Sequence, residues 1–105
     1  MGGEGKKYTV IVSDEAAEML VSHARFLARV SEAAALRLIE EFNEKAKSLA
    51  EFPERNPRLF DPLVPDGKYR KLLLAERYLL IYQIKGGTVY LDAVVDCRQD
   101  YGWLL

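Results

Sequence analysis

Residues 68–100 read KYRKLLLAERYLLIYQIKGGTVYLDAVVDCRQD, and the reading of Lys85-Gly86-Gly87-Thr88 at its centre decides the fold. Two glycines between β-branched and aromatic runs are a strong hairpin signal, because a two-residue type I′ turn requires φ > 0 at both central positions. That turn sets a register in which Ile84 faces Val89, Tyr82 faces Leu91, Leu80 faces Ala93 and Arg77 faces Asp96. Side chains alternate across a strand, so the pairs separate into two faces. Tyr78, Leu80, Tyr82, Ile84, Val89, Leu91, Ala93 and Val95 form a charge-free face, expected to be the core. Arg77, Leu79, Ile81, Gln83, Tyr90, Asp92, Val94 and Asp96 form a mixed face. Its apolar members exceed what a solvated face needs, so it is expected to be covered or to bind something.

The surrounding sequence fits one domain spanning 1–105, with residues 1–6 expected to be disordered. At 105 residues, 50% hydrophobic and 30% charged, the chain can build a core without metal or disulfide help. Its net charge of -1 differs from the positive balance typical of nucleic-acid binders. The single cysteine, Cys97, forms no internal disulfide, and neither a signal peptide nor an apolar run of membrane-spanning length is present. These features make the cytoplasm the expected address and exclude a membrane partner.

Taken in order, Lys7 to Val12 reads as a first strand. Ser13 is placed to cap a helix running from Asp14 to about Arg29, with Asp14 and Glu15 in its first turn. Its apolar stripe is Ala16, Leu20, His23/Ala24 and Leu27, widened by Met19 and Phe26. His23 is expected to be a partly buried helix histidine. Ser31 is placed to cap a second helix from Glu32 to about Glu51, with Ala35, Leu38/Ile39, Phe42, Ala46 and Leu49 inward. Pro53 ends it. The short link between the helices predicts an antiparallel hairpin over one face of the sheet. Residues 53–67 hold all four prolines and read as an irregular crossing segment pinned by Leu59, Phe60 and Leu63. Three consecutive antiparallel strands follow, at 69–74, 78–84 and 88–96. The order is β-α-α-β-β-β, an α+β layer of a helical hairpin on an antiparallel sheet.

No P-loop, GxGxxG, HExxH, CxxC pair or nucleophile elbow occurs. No cofactor or metal is expected. Cys97 reads as a buried, inert thiol at a strand end.

Taken together, YTVIVSDEAAEML at 8–20, SLAEFPERNPR at 48–58, KYRKLLLAERYLLIYQI at 68–84 and TVYLDAVVDCRQD at 88–100 resemble the RelE/ParE superfamily of toxins from type II toxin–antitoxin modules. The likeness covers nearly the whole chain. It implies a growth-inhibiting protein neutralised by a cognate antitoxin whose tail wraps the helices and sheet. It also implies one of two activities: inhibition of DNA gyrase, or cleavage of mRNA in the ribosome.

The nuclease activity uses a basic cluster on the open sheet face, where cations stabilise charge on the scissile phosphate. The matching positions are Arg70, Leu72, Leu79 and Arg98, gathered on the mixed face by a two-residue turn at Ala75-Glu76. Leucine can neither neutralise a phosphate nor carry a proton. The resemblance therefore points to gyrase-type inhibition. The ribosomal nuclease is the alternative, with Arg70, Arg77, Arg98 and Tyr101 as its candidate catalytic residues. A decayed toxin that only binds its antitoxin is the second. Leu72, Leu79, Ile81, Val94 and Trp103 are the candidate binding surface, and a homodimer is left open.

Overall fold

The computed structural model describes residues 7–60 and 67–97. Strand β1 is Thr9–Val12, helix α1 is Asp14–Ala28, and helix α2 is Glu32–Ser48. A single 3-10 turn, Pro53–Arg55, precedes strands β2 (Arg70–Leu74), β3 (Tyr78–Lys85) and β4 (Thr88–Asp96). The element order is the expected one. The sheet order is β1-β4-β3-β2, with β2, β3 and β4 antiparallel and β1 added parallel to β4, so the sheet is mixed.

The β3–β4 hairpin turns at Gly86-Gly87, with Lys85 paired to Thr88 and Tyr82 to Leu91 as the sequence predicts. Only Gly86 adopts positive φ, at 60°, which is the demand of a II′ turn at its first central position rather than of I′ at both. Beyond Tyr82 the register departs from expectation. Ile81 pairs with Ala93 and Leu80 with Val94, leaving Asp92 as an extra residue in a β-bulge. One added residue inverts the alternation. Val94 thereby packs with Leu80 and Tyr82, while Ala93 and Val95 pack with Ile81 on the opposite face.

The β2–β3 connection shifts register as well. Leu74 pairs with Tyr78 and Arg70 with Tyr82, so the link has three residues, not the two expected. Ala75 and Glu76 stand at φ 49° and 60°, a left-handed conformation that costs an L-residue about 1–2 kcal/mol. Neighbouring groups hold it there. Glu41 Oε1 accepts the Ala75 N–H at 2.9 Å, and Arg37 donates to both Glu41 and Glu76, at 3.1 and 3.0 Å.

Both helices start as read. Ser13 Oγ accepts from the Ala16 N–H at 3.0 Å, and Ser31 Oγ from Ala34 at 3.2 Å. Leu20, Leu38, Phe42 and Leu49 bury against Leu72, Leu74, Tyr78, Leu80, Tyr82, Val89, Leu91 and Val94. Each such side chain contributes about 1.5–3 kcal/mol of transfer free energy. Phe26 does not join the stripe and is 52% exposed. β1 reaches only as far as the Val12–Leu91 pair, so among the described residues no strand covers the outer edge of β4 from Asp92 onward. Helix α1 closes it with side chains. Ser13 Oγ donates to the Asp92 carbonyl at 3.4 Å, and His23 Nε2 lies 2.8 Å from the Val94 carbonyl. A carbonyl only accepts, so His23 carries its proton on Nε2 in this bond. The histidine is part of the architecture, as its place on the helix suggested.

A smaller core lies on the other sheet face, where Leu59 and Tyr69 cover Ile81, Ala93 and Val95. Leu59 pins the crossing segment as expected, but Phe60 is 67% exposed and Leu63 lies outside the described residues.

Candidate functional site

The basic residues predicted to share a surface are held apart. Arg70 pairs across from Tyr82 at one end of the β2–β3 ladder, whereas Arg77 lies in the connection at the other. The four residue steps from Tyr78 to Tyr82 correspond to ~13 Å of strand. Arg70 turns toward the crossing segment, where its Nη1 donates to the carbonyls of Asn56 at 2.7 Å and Glu54 at 3.3 Å. Tyr82 belongs to the same knot. Its hydroxyl donates to the Pro53 carbonyl at 2.6 Å and accepts from Asn56 Nδ2 at 3.1 Å. Burial raises the Tyr82 pKa above its ordinary value, while Asn56 and Arg70 oppose that shift. The phenol is therefore a neutral hydrogen-bond bridge at physiological pH. Arg70 and Tyr82 together fasten residues 53–56 to the sheet.

Arg77 forms an ion pair with Asp96, Nε to Oδ2 at 3.3 Å, and its guanidinium lies 5.4 Å from the Tyr78 ring centroid and 5.9 Å from that of Phe26. Its carbonyl accepts the Cys97 N–H at 2.9 Å. Cys97 is exposed rather than buried, since it stands just past the end of β4. Arg98, Tyr101 and Trp103 lie outside the described residues.

The apolar set also redistributes. The three-residue β2–β3 link turns Leu72 to the helix side, where it is 7% exposed, and the β4 bulge turns Val94 the same way. Ile81 faces away from the helices as expected, but Leu59 and Tyr69 pack against it. These three side chains are core in this structure and form no open patch. Leu79 is only partly buried, and beside it on β2 stands its partner Leu73, 49% exposed. Leu73 and Leu79 thus form an adjacent apolar pair at the surface of these strands.

A cleft of about 720 Å³ lies between α1 and the bulged part of β4. Met19 and Tyr69 supply apolar surface, while Ser13 and Ser22 stand along its helix side. The charged side chains that line it among the described residues are Glu15, Glu18 and Asp92, all acidic. Gln83 Nε2 donates to Asp92 Oδ2 at 2.5 Å, which fixes that carboxylate at the bulge. The sequence carries a faint sign of this feature. Ala93-Val94-Val95 breaks the strict apolar–polar alternation immediately after an acid, as a bulge does. Tyr69, one residue before β2, carried no such signal.

An αα-hairpin packed on a mixed four-stranded sheet is a fold that known proteins share. The family model described as ParE toxin of type II toxin-antitoxin system, parDE, matches residues 10–101. The chain belongs to the ParE toxin family. It thus falls within the RelE/ParE superfamily that its motifs resemble. The fold of the ParE chain is also similar to a solved structure described as the chromosomal ParDE TA system from P. aeruginosa, with a TM-score of 0.69. That match has 16% sequence identity and covers 88% of this chain and 98% of the other. At this identity the likeness is one of fold. The comparison with curated proteins gave no match.

Proposed function

We propose that this chain is the toxin of a type II toxin–antitoxin module, that it arrests growth in the cytoplasm by inhibiting DNA gyrase, and that a cognate antitoxin neutralises it. Membership of the ParE family supports the toxin assignment. The observation that favours protein binding over RNA cleavage is the engagement of Arg70. Its guanidinium is committed to two backbone carbonyls, 2.7 and 3.3 Å away, and lies at the opposite end of the strand pair from Arg77. Catalytic cations must converge on the charge that develops in the transition state. Leu72 and Leu79 supply no further base between them.

The test expresses the whole chain from a tightly regulated promoter and scores growth arrest and the SOS response. Purified protein is then assayed for inhibition of gyrase supercoiling and for message cleavage on programmed ribosomes. Growth arrest with loss of supercoiling is the expected result. Robust A-site cleavage that disappears in Arg98→Ala would overturn it in favour of the nuclease. Neither activity, with antitoxin binding retained, would leave a module that only binds its antitoxin. Sedimentation of the same preparation reads whether the toxin self-associates.

A further inference from the structure

We infer that the outer edge of β1 pairs antiparallel with β1 of a second copy of this chain, Ile11 meeting Ile11 across a two-fold axis. Backbone groups along a strand point alternately to its two sides. The N–H groups of Thr9 and Ser13 donate to the carbonyls of Gly87 and Leu91, at 2.9 and 3.0 Å, so Ile11 between them faces β4 as well. Val10 and Val12 therefore turn their N–H and carbonyl groups outward, where they have no partner among the described residues. The side chains agree with this reading. Ile11 is 44% exposed and Val12 41%, on a strand that carries neither lysine nor proline, the residues that ordinarily guard an open edge.

Neighbouring elements leave one register for such a pair. With Val10 opposite Val10 of the second copy, Val12 would meet Tyr8, whose N–H is already held by the Ala50 carbonyl at 2.7 Å. With Val12 opposite Val12, Val10 would meet Asp14, the first residue of α1. Only Val10 opposite Val12 lets both outward residues of each copy exchange hydrogen bonds. Ile11 then takes the non-hydrogen-bonded position on the axis, where facing Cβ atoms approach to about 5 Å. The same register sets Lys7 opposite Glu15, so at each end a cation meets the acidic first turn of the second copy's α1. Within its own chain Lys7 reaches only Glu51, at 3.9 Å, and both side chains are exposed. The product is one continuous sheet, β2-β3-β4-β1 running on through the axis into β1-β4-β3-β2 of the second copy. Both helical hairpins lie on one side of it and both Leu73–Leu79 pairs on the other. So short a contact makes a weak dimer, not an obligate one.

The test is sedimentation equilibrium of the full-length protein under reducing conditions, up to about 0.5 mM, with every variant checked for an unchanged unfolding midpoint. A monomer–dimer equilibrium with a dissociation constant on the order of tens of micromolar is expected. Ile11→Lys puts like charges on the axis and should weaken association by at least about tenfold. Lys7→Glu and Glu15→Lys should each weaken it, whereas the two together should restore it. Cross-linking in a Cys97→Ser background reads the register and does not depend on those variants. Ile11→Cys should join two chains on mild oxidation. Thr9→Cys, on the same face but about 13 Å or more from its counterpart, should not. A protein that stays monomeric, association that survives Ile11→Lys, or equal cross-linking of the two cysteine variants would overturn the pairing. In a monomer, Val10 and Val12 amides protected from hydrogen exchange would assign the edge to the chain itself. Protection that appears only on adding the antitoxin would assign it to that partner, and either result replaces the proposal.

Discussion

The carboxylate of Glu41 on α2 accepts the backbone N–H of Ala75 at 2.9 Å, tying a helix to a strand turn in the left-handed region. That hydrogen bond, with the Arg37 guanidinium beside it, holds the Glu41 pKa below its ordinary value of 4.5. A carboxyl whose folded pKa is depressed contributes stability above its unfolded pKa and loses it as pH falls through the folded one. The Glu41→Gln variant keeps an acceptor oxygen but removes the charge. It should be less stable than wild type by about 1 kcal/mol at neutral pH. The difference should shrink as pH falls below the ordinary glutamate range. Urea unfolding midpoints across the acid range check this, and a difference independent of pH would contradict it.

Ala75→Gly should stabilise the protein. Relief of a left-handed alanine is worth about 1–2 kcal/mol, and the added freedom of glycine in the unfolded chain returns about 0.5–1 of it. A net gain of roughly 0.5–1 kcal/mol corresponds to a melting temperature higher by several degrees. Differential scanning calorimetry reads the change directly, and a fall in melting temperature would show that the turn is not strained.

Tyr82→Phe should destabilise by about 1–3 kcal/mol, because it leaves the Pro53 carbonyl without its donor and Asn56 without its acceptor. Arg70→Ala frees the carbonyls of Glu54 and Asn56 from the same segment. The two variants should be coupled, the double costing less than the sum, since both release residues 53–56. Denaturant unfolding of the four proteins completes the cycle. Additive effects would mean that the two side chains hold the segment independently.

Leu79→Glu should keep the fold, because Leu79 is only partly buried and its neighbour Leu73 is exposed. It should weaken binding to the antitoxin, binding to gyrase or self-association by at least about tenfold. Calorimetry, supercoiling inhibition and sedimentation measure the three. Wild-type behaviour in all of them would remove the Leu73–Leu79 pair from the interaction surface.

The element order, both caps and the Gly86-Gly87 turn were legible because each rests on chemistry local to a few residues. The face assignments were not. They depend on parity, and a single residue in Asp92 or in the Ala75–Arg77 link reverses them for everything beyond. That is why Leu72 and Val94, read as surface, are core, and why Ala93 and Val95 moved the other way. The sequence suggested Arg70 as a cation for phosphate, whereas in the structure it clamps backbone carbonyls. Its partners, Glu54 and Asn56, lie at least fourteen residues away along the chain, beyond the reach of any local pattern. Tyr69 and Glu18 meet only in three dimensions, so the cleft had no signature in spacing.

The bulge at Asp92 also governs how this chain tolerates changes of length. A strand ordinarily accepts a lost residue by sliding its end, but β4 is anchored on both sides of the bulge. Val12 and Tyr82 fix Leu91, and Tyr78 fixes Asp96. Deleting Asp92 would therefore not slide the strand. With Leu91 still opposite Tyr82 and Ala93 opposite Ile81, it would close the bulge into a regular ladder, leaving Val94 under the helices and Ala93 and Val95 on the other face. What would go is the extra residue itself, with the carbonyl that Ser13 holds and the carboxylate that Gln83 holds. One codon in the middle of this strand can thus be lost without turning its last four residues over, because the ladder never counted it.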